Sequence, residues 1–238
     1  MRPVIRSLTL LWAITATVGV PVNAEDLLRP PGIARTAQIP GLGLHAVETT
    51  EGRLVFLSTN GRFAVYGGTV VDLWNGARLD SFEAAQASAS RLNIERLGLD
   101  PQDLGAISIG EGPATLIFYD PHCPHCQGLL AQLAALHDRY RFHLIALPVL
   151  GEPSIAAAVA LACQAARDPE AALRRLLDRD FSESAAPRDP ACGQPAVQRA
   201  LVTAQLLGIA GVPYLIGPSG VISQGIPDDL ETWLGAAR

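Results

Sequence analysis

Among the side chains able to do chemistry in this 238-residue chain, two cysteines separated by two residues stand out: Cys123-Pro124-His125-Cys126. They follow Ala114 to Tyr119, a short and nearly continuous apolar run of aromatic and branched residues that reads as a central strand covered on both faces. Asp120 and Pro121 break the run. From Cys126 onward Leu129, Leu130, Leu133, Leu136 and Tyr140 recur at helical spacing, so the pair lies where a helix begins. Unpaired N–H groups and the positive end of the helix dipole stabilise an anion there, and Cys123 is expected to ionise more readily than a free thiol. Each pKa unit of depression stabilises the reduced pair by about 1.4 kcal/mol, which raises a two-electron potential by roughly 30 mV. Pro124 stiffens the turn and removes a donor. His125 can place positive charge beside the sulfur, so it is the expected tuning residue, and the pair looks set toward oxidising power.

Two blander chemistries compete. A zinc site needs four ligands, but the chain has no second Cys-x-x-Cys, and His122 and His125 could join only with awkward local geometry; no metal is expected. An inert structural disulfide is the other alternative, on a strand-to-helix turn between two histidines that is a rare place for one.

The elements that must position this pair are read from the rest of the chain. Arg2 and Arg6 precede an apolar run from Leu8 to Val20, and Val22-Asn23-Ala24 supplies small residues at a cleavage site, so residues 1–24 read as a secretory signal peptide. A retained N-terminal anchor is the alternative. Without Arg2 and Arg6, the 18 basic residues fall to 16 against 23 acidic ones, a net charge of −7, and the chain has no lysine. An acidic surface argues against nucleic-acid binding. With 49% hydrophobic residues the chain can bury sizeable cores, and export to an oxidising compartment makes disulfides among its 4 cysteines plausible.

Leu27 to Pro40 reads as an extended or short helical leading segment. Between Leu42 and Trp74 the runs LHAVE, RLVFLS, RFAVY and TVVDLW are separated by Glu51-Gly52, Asn60-Gly61 and Gly67-Gly68, the pattern of an antiparallel meander. So small a sheet is expected to pack against a second copy or against its own partner domain. Asp80-Ser81-Phe82-Glu83 resembles a capping box with Asp80 as cap, and the alanine-rich helix after it has so sparse an apolar stripe that it reads as a connector. From Gly105 strands and helices alternate, which implies an α/β sheet: AISIG, the cysteine strand and helix, a strand from Arg141 to Val149, and helices over 153–167, 168–178 and 194–207. In the first of these Ile155, Val159, Cys163 and Ala166 share one face. YLIG and VISQG flank Gly217-Pro218-Ser219-Gly220 as a hairpin, and 228–236 is a terminal helix. Cys163 and Cys192 form the second cysteine pair, read as a structural disulfide that closes a loop of roughly 30 residues; a buried free Cys163 is the alternative.

In this order the pieces resemble the DsbC/DsbG family of periplasmic thiol:disulfide interchange proteins. The likeness spans residues 25–79 as an N-terminal dimerisation domain, 80–98 as a linker helix and 99–238 as a thioredoxin-like catalytic domain. It implies an α+β to α/β architecture, Cys123 as an exposed nucleophile, Cys126 as the buried resolving thiol, and a cis bond at Val212-Pro213 that brings backbone groups beside the sulfur. It also implies a V-shaped homodimer with an apolar cleft, clients that are unfolded or misoxidised exported proteins, and a membrane thiol reductase of DsbD type as partner. No cofactor is implied beyond a redox-active Cys123–Cys126 disulfide. Two positions depart from the pattern. Cys-Pro-His-Cys with Val212 before the proline looks like the monomeric oxidase DsbA, and where thioredoxin has a buried acid this chain has Ile117. Isomerase or reductase is the leading expectation; a dithiol oxidase and a redox-independent chaperone or assembly factor are its rivals.

Overall fold

The computed structural model describes residues 32–39, 43–181, 189 and 191–236; the signal peptide expected over 1–24 and most of the loop after Phe181 lie outside them. Four strands, β1 (Ile33–Ile39), β2 (Leu44–Thr49), β3 (Leu54–Ser58) and β4 (Ala64–Tyr66), form an antiparallel meander in that order. The first of them corrects the sequence reading of an extended or short helical leading segment. Residues Ile33 to Gln38 are largely exposed, so no burial pattern marks the strand, and backbone pairing from Ile39 opposite Leu44 to Ile33 opposite Thr49 fixes it instead.

The fourth run expected in the meander also behaves differently. Val71–Asp72 (β5) leaves the sheet and pairs with Ala77–Arg78 (β6) in a separate hairpin. Asp72 causes this locally: its Oδ1 accepts from the N–H groups of Trp74 at 2.9 Å and Asn75 at 3.1 Å, which closes a turn in place of ladder bonds. Helix α1 (Phe82–Ala89) is capped by Ser81 rather than Asp80. Ser81 is the residue in the extended conformation whose Oγ reaches the Ala84 N–H at 3.1 Å. Nor is α1 a bare connector, since Phe82 and Ala85 close a small core with Ile39, Ala46, Phe56 and Leu79. A three- or four-stranded sheet needs such a covered face to hold together.

After α2 (Ile94–Leu97) the second module begins with β7 (Ile107–Ile109), β8 (Ala114–Tyr119), α3 (Pro124–Leu133) and β9 (Arg141–Ala146). It continues through α4 (Glu152–Ala165), α5 (Pro169–Asp178) and α6 (Gln194–Leu207) to β10 (Tyr214–Ile216), β11 (Ile222–Gln224) and α7 (Leu230–Gly235). The five strands are ordered β11-β10-β8-β9-β7, with β8 and β9 parallel and the other neighbours antiparallel. A β-α-β unit completed by an antiparallel hairpin is a thioredoxin-like sheet. Successive side chains of β8 point to opposite faces. Ile117 and Tyr119 join Leu129, Leu133 and Leu161 in one apolar layer, while Leu116 and Phe118 join Ala200, Ala204 and Leu207 in the other. Coverage of both faces is what made the run read as continuous rather than alternating.

The modules are tied by more than a linker helix. The helix expected over 80–98 stops at Ala89, and Ser90 to Leu92 lie along the β11 hairpin, with Leu92 N–H donating to Gly220 O at 2.8 Å and Ile222 N–H to Ser90 O at 3.0 Å. Gly220 permits this approach: its φ is +80°, and a Cβ there would stand 2.3 Å from Leu92 O.

Candidate active site

Local chemistry at the end of β8 builds the site. Asp120 O accepts from Cys123 N–H at 3.1 Å, closing the turn, and Cys123 then occupies the N-cap of α3 in extended conformation with Pro124 at the first helical position. Cys126 follows one turn inside. Both are free thiols. Cys123 Sγ lies 4.0 Å from Val212 O, and the Val212–Pro213 bond is cis. This cover corrects the expectation of an exposed Cys123: the residue is 6% exposed against 1% for Cys126, because the Val212–Pro213 loop lies over it. Pro124 and His125 do face solvent.

The two sulfurs have different surroundings. Burial above all pushes the Cys126 thiol up to about 12; a hydrogen bond from the Asp120 backbone pulls it down, and smaller upward contributions come from the hydrogen bond with Cys123 and from charge on Cys123 and Asp120. Cys126 therefore keeps its proton at neutral pH. Cys123 stands at the open end of the helix, where its side chain makes no capping bond and is left facing the Val212 carbonyl.

Sequence reasoning missed the group that braces this turn. Asp120, read only as a strand breaker, is 1% exposed. Its Oδ1 accepts from His122 N–H at 2.8 Å and Ser154 Oγ at 2.7 Å, and its Oδ2 from the N–H groups of Val149 at 2.7 Å and Leu150 at 3.0 Å. Four donors fill the four acceptor positions of a carboxylate. They also explain why β9 ends at Ala146 instead of Val149, and why Ser154 rather than Ile155 is buried in the first turn of α4, Ile155 being 40% exposed. Ser154 Oγ lies 3.2 Å from His122 Nδ1, and the His122 ring packs on Phe181 with centroids 5.1 Å apart. The one hint in the sequence was an acid directly after a buried strand. Three of its four partners come 29 to 34 residues later, out of reach of local patterns. Ile117, at the position of thioredoxin's buried acid, is fully buried and apolar.

Cys163 and Cys192 lie apart from this site and are joined in a disulfide with Cα atoms 5.1 Å apart. Gly193, at φ +84°, makes their approach possible, since a Cβ there would stand 2.2 Å from Val159 O. A thiol pair at a helix start, beside a backbone carbonyl, can open and close a disulfide through a mixed intermediate.

No protein-family model matches the chain, and no curated protein matches it. Solved structures do. Similar ones include ScsC of Proteus mirabilis in a compact conformation, at 21% identity and TM-score 0.48 over 58% of this chain and 73% of that one. A disulfide interchange protein from Neisseria gonorrhoeae is similar at 21% identity and TM-score 0.48, over 58% of this chain and 98% of that one. A periplasmic thioredoxin-like protein from Salmonella enterica serovar Typhimurium is similar at 20% identity and TM-score 0.48, over 58% and 89%.

Proposed function

We propose that this chain is an exported, periplasmic thiol-disulfide oxidoreductase that isomerises or reduces disulfides in unfolded or misoxidised exported proteins. The observation that carries the reading is the free Cys123/Cys126 pair at the start of α3, one sulfur against the Val212 carbonyl and the other buried and protonated. Cys123 thiolate attacks one sulfur of a client disulfide, a Cys123–client bond forms, and the client's other sulfur leaves as thiolate. Either Cys126 or a client thiol then attacks the mixed disulfide, the second route giving isomerisation. The client strand pairs with backbone groups beside Pro213. Recycling falls to a membrane thiol reductase of DsbD type.

A homodimer through the N-terminal sheet belongs to this reading. Strand β4 is an edge, and Val65 at 48% and neighbouring Phe63 at 60% exposure leave it apolar. Sedimentation that finds only monomer would remove that part. A dithiol oxidase is the second reading, favoured by Cys-Pro-His-Cys together with Val212. The test uses Cys126→Ala in cells that export the protein: mixed disulfides through Cys123 accumulate, and their absence refutes exchange chemistry altogether. Refolding of a scrambled substrate by reduced protein, set against oxidation of a reduced substrate, separates isomerase from oxidase.

A further inference from the structure

Strand order decides what stands on either side of Cys123. Strand β8, which delivers the cysteine turn, lies between β10 and β9. β10 runs antiparallel to it, so the loop leading into β10 reaches the same edge of the sheet and puts Val212 O against Cys123 Sγ. β9 runs parallel to it, so the segment leaving β9 reaches that edge from the other side. There Leu147 N–H donates to Tyr119 O at 2.7 Å, and the N–H groups of Val149 and Leu150 donate to Asp120 Oδ2. Asp120 Oδ1 takes the N–H of His122, the residue before Cys123, and the Ser154 hydroxyl. One buried carboxylate thus pins the cysteine turn to the connection between β9 and α4. The backbone of that connection turns inward to Asp120, but its apolar side chains do not: Val149 is 50% exposed, Leu150 54%, and Ile155, next to the buried Ser154, 40%. A lone apolar residue at a surface is ordinary. Three on one connection, fixed beside a reactive sulfur, make a surface that gains by being covered.

We propose that Val149, Leu150 and Ile155 form a docking ridge that takes an apolar side chain adjacent to the cysteine of a polypeptide disulfide. The inference deepens the exchange reading above and rests on it. A client attached through Cys123 is held at high effective concentration over whatever flanks that sulfur. On the Val212–Pro213 side the flank offers backbone groups, which give affinity with little regard to sequence. On the Val149–Leu150 side it offers apolar surface, which selects for apolar neighbours. An unfolded chain presents such neighbours and a folded one buries them, so the ridge favours unfolded clients. In the step it assists, Cys123 thiolate attacks one client sulfur, a Cys123–client bond forms and the client disulfide breaks. The other client sulfur leaves with the electron pair as a thiolate and takes a proton from water, so no outside oxidant or reductant is consumed.

Two disulfide-linked peptide dimers test this, one of Ala-Leu-Cys-Leu-Ala and one of Ala-Ser-Cys-Ser-Ala, with oxidised glutathione, which has no apolar side chain, as the reference. Each is mixed with reduced protein in a Cys126→Ala background, and formation of the mixed disulfide at Cys123 is followed. The leucine peptide is expected to react about tenfold faster than the serine peptide, a difference of about 1.4 kcal/mol that partial burial of apolar side chains supplies. Val149→Ser with Leu150→Ser abolishes the preference and leaves the glutathione rate where it was, since the bonds to Asp120 come from backbone N–H groups. Leu150→Ser alone, the milder change, reduces the preference to about threefold. Leu206→Ser, at a 60% exposed position on α6 outside the ridge, keeps it whole. Equal rates for the two peptides, a full preference in either ridge variant, or a preference lost in Leu206→Ser would each overturn the proposal. An unsubstituted site that does not react with oxidised glutathione sinks the exchange reading, and the ridge with it.

Discussion

The two cysteine pairs differ less in burial than in what surrounds them. Cys163, 4% exposed, sits in the last turn of α4 and meets Cys192 across 29 residues of chain, with Gly193 letting the following segment press against the helix. Cys123, 6% exposed, and Cys126, 1%, are as well covered, yet they remain separate thiols at a helix start. One pair is flanked by helix backbone, with the exposed Arg167 guanidinium 3.5 Å from Cys192 Sγ; the other has the Val212 carbonyl 4.0 Å from Cys123 Sγ and follows the buried Asp120 carboxylate. Burial alone therefore does not sort a structural bond from a reactive one. The electrostatic surroundings and the position on the helix do.

The comparison can be broken first at the structural pair. Cys163→Ala with Cys192→Ala is expected to destabilise the protein by about 3.5 kcal/mol on the chain-entropy account, read from denaturant unfolding. The redox equilibrium of Cys123/Cys126 with glutathione should stay where it was; a moved equilibrium would mean that the pairs are coupled.

A smaller effect separates the pairs by pH. Cys126 has a folded-state pKa of about 12 against an ordinary 9.0. Between those values the folded, reduced protein holds a proton that the unfolded chain has lost, so its stability is fully present below the lower value and falls as pH rises through the window. The slope is at most about 1.4 kcal/mol per pH unit. Oxidised protein has no Cys126 thiol to titrate, so the stability difference between oxidised and reduced forms should shift steadily above about pH 9. A difference that does not change with pH contradicts the burial argument. The disulfide Cys163–Cys192 serves as the internal control, since it does not titrate in either form.

The smallest effect sharpens the reactive side. His125 is exposed in the first turn of α3, and a full charge there contributes on the order of 1 kcal/mol in water, equivalent to about 20 mV. His125→Ala should make the dithiol more reducing by no more than that amount, measured against glutathione; an unchanged potential removes its tuning role.

Much of this was legible in local patterns, and the misses have local causes. The cysteine strand and its helix, the helix over 194–207 and the closing hairpin follow from apolar spacing and turn residues that act within a few positions. Strand β1 escaped because an exposed edge strand needs no apolar alternation. The detached β5–β6 hairpin escaped because one aspartate side chain outcompeted the ladder. At the helix start, Asp80 and Ser81 are both good caps, and only the backbone path chose between them.

The sequence by itself determined that a Cys-x-x-Cys pair would stand at a strand-to-helix turn, because periodicity and helix-start chemistry are short-range. Only the tertiary structure decided that Asp120 is a buried, fully occupied carboxylate and that Val212 O covers Cys123. Those facts depend on which segments the sheet order brings together, from β9 and α4 on one side and the loop before β10 on the other. Donors and acceptors separated by 29 to 89 residues leave no trace in a local pattern.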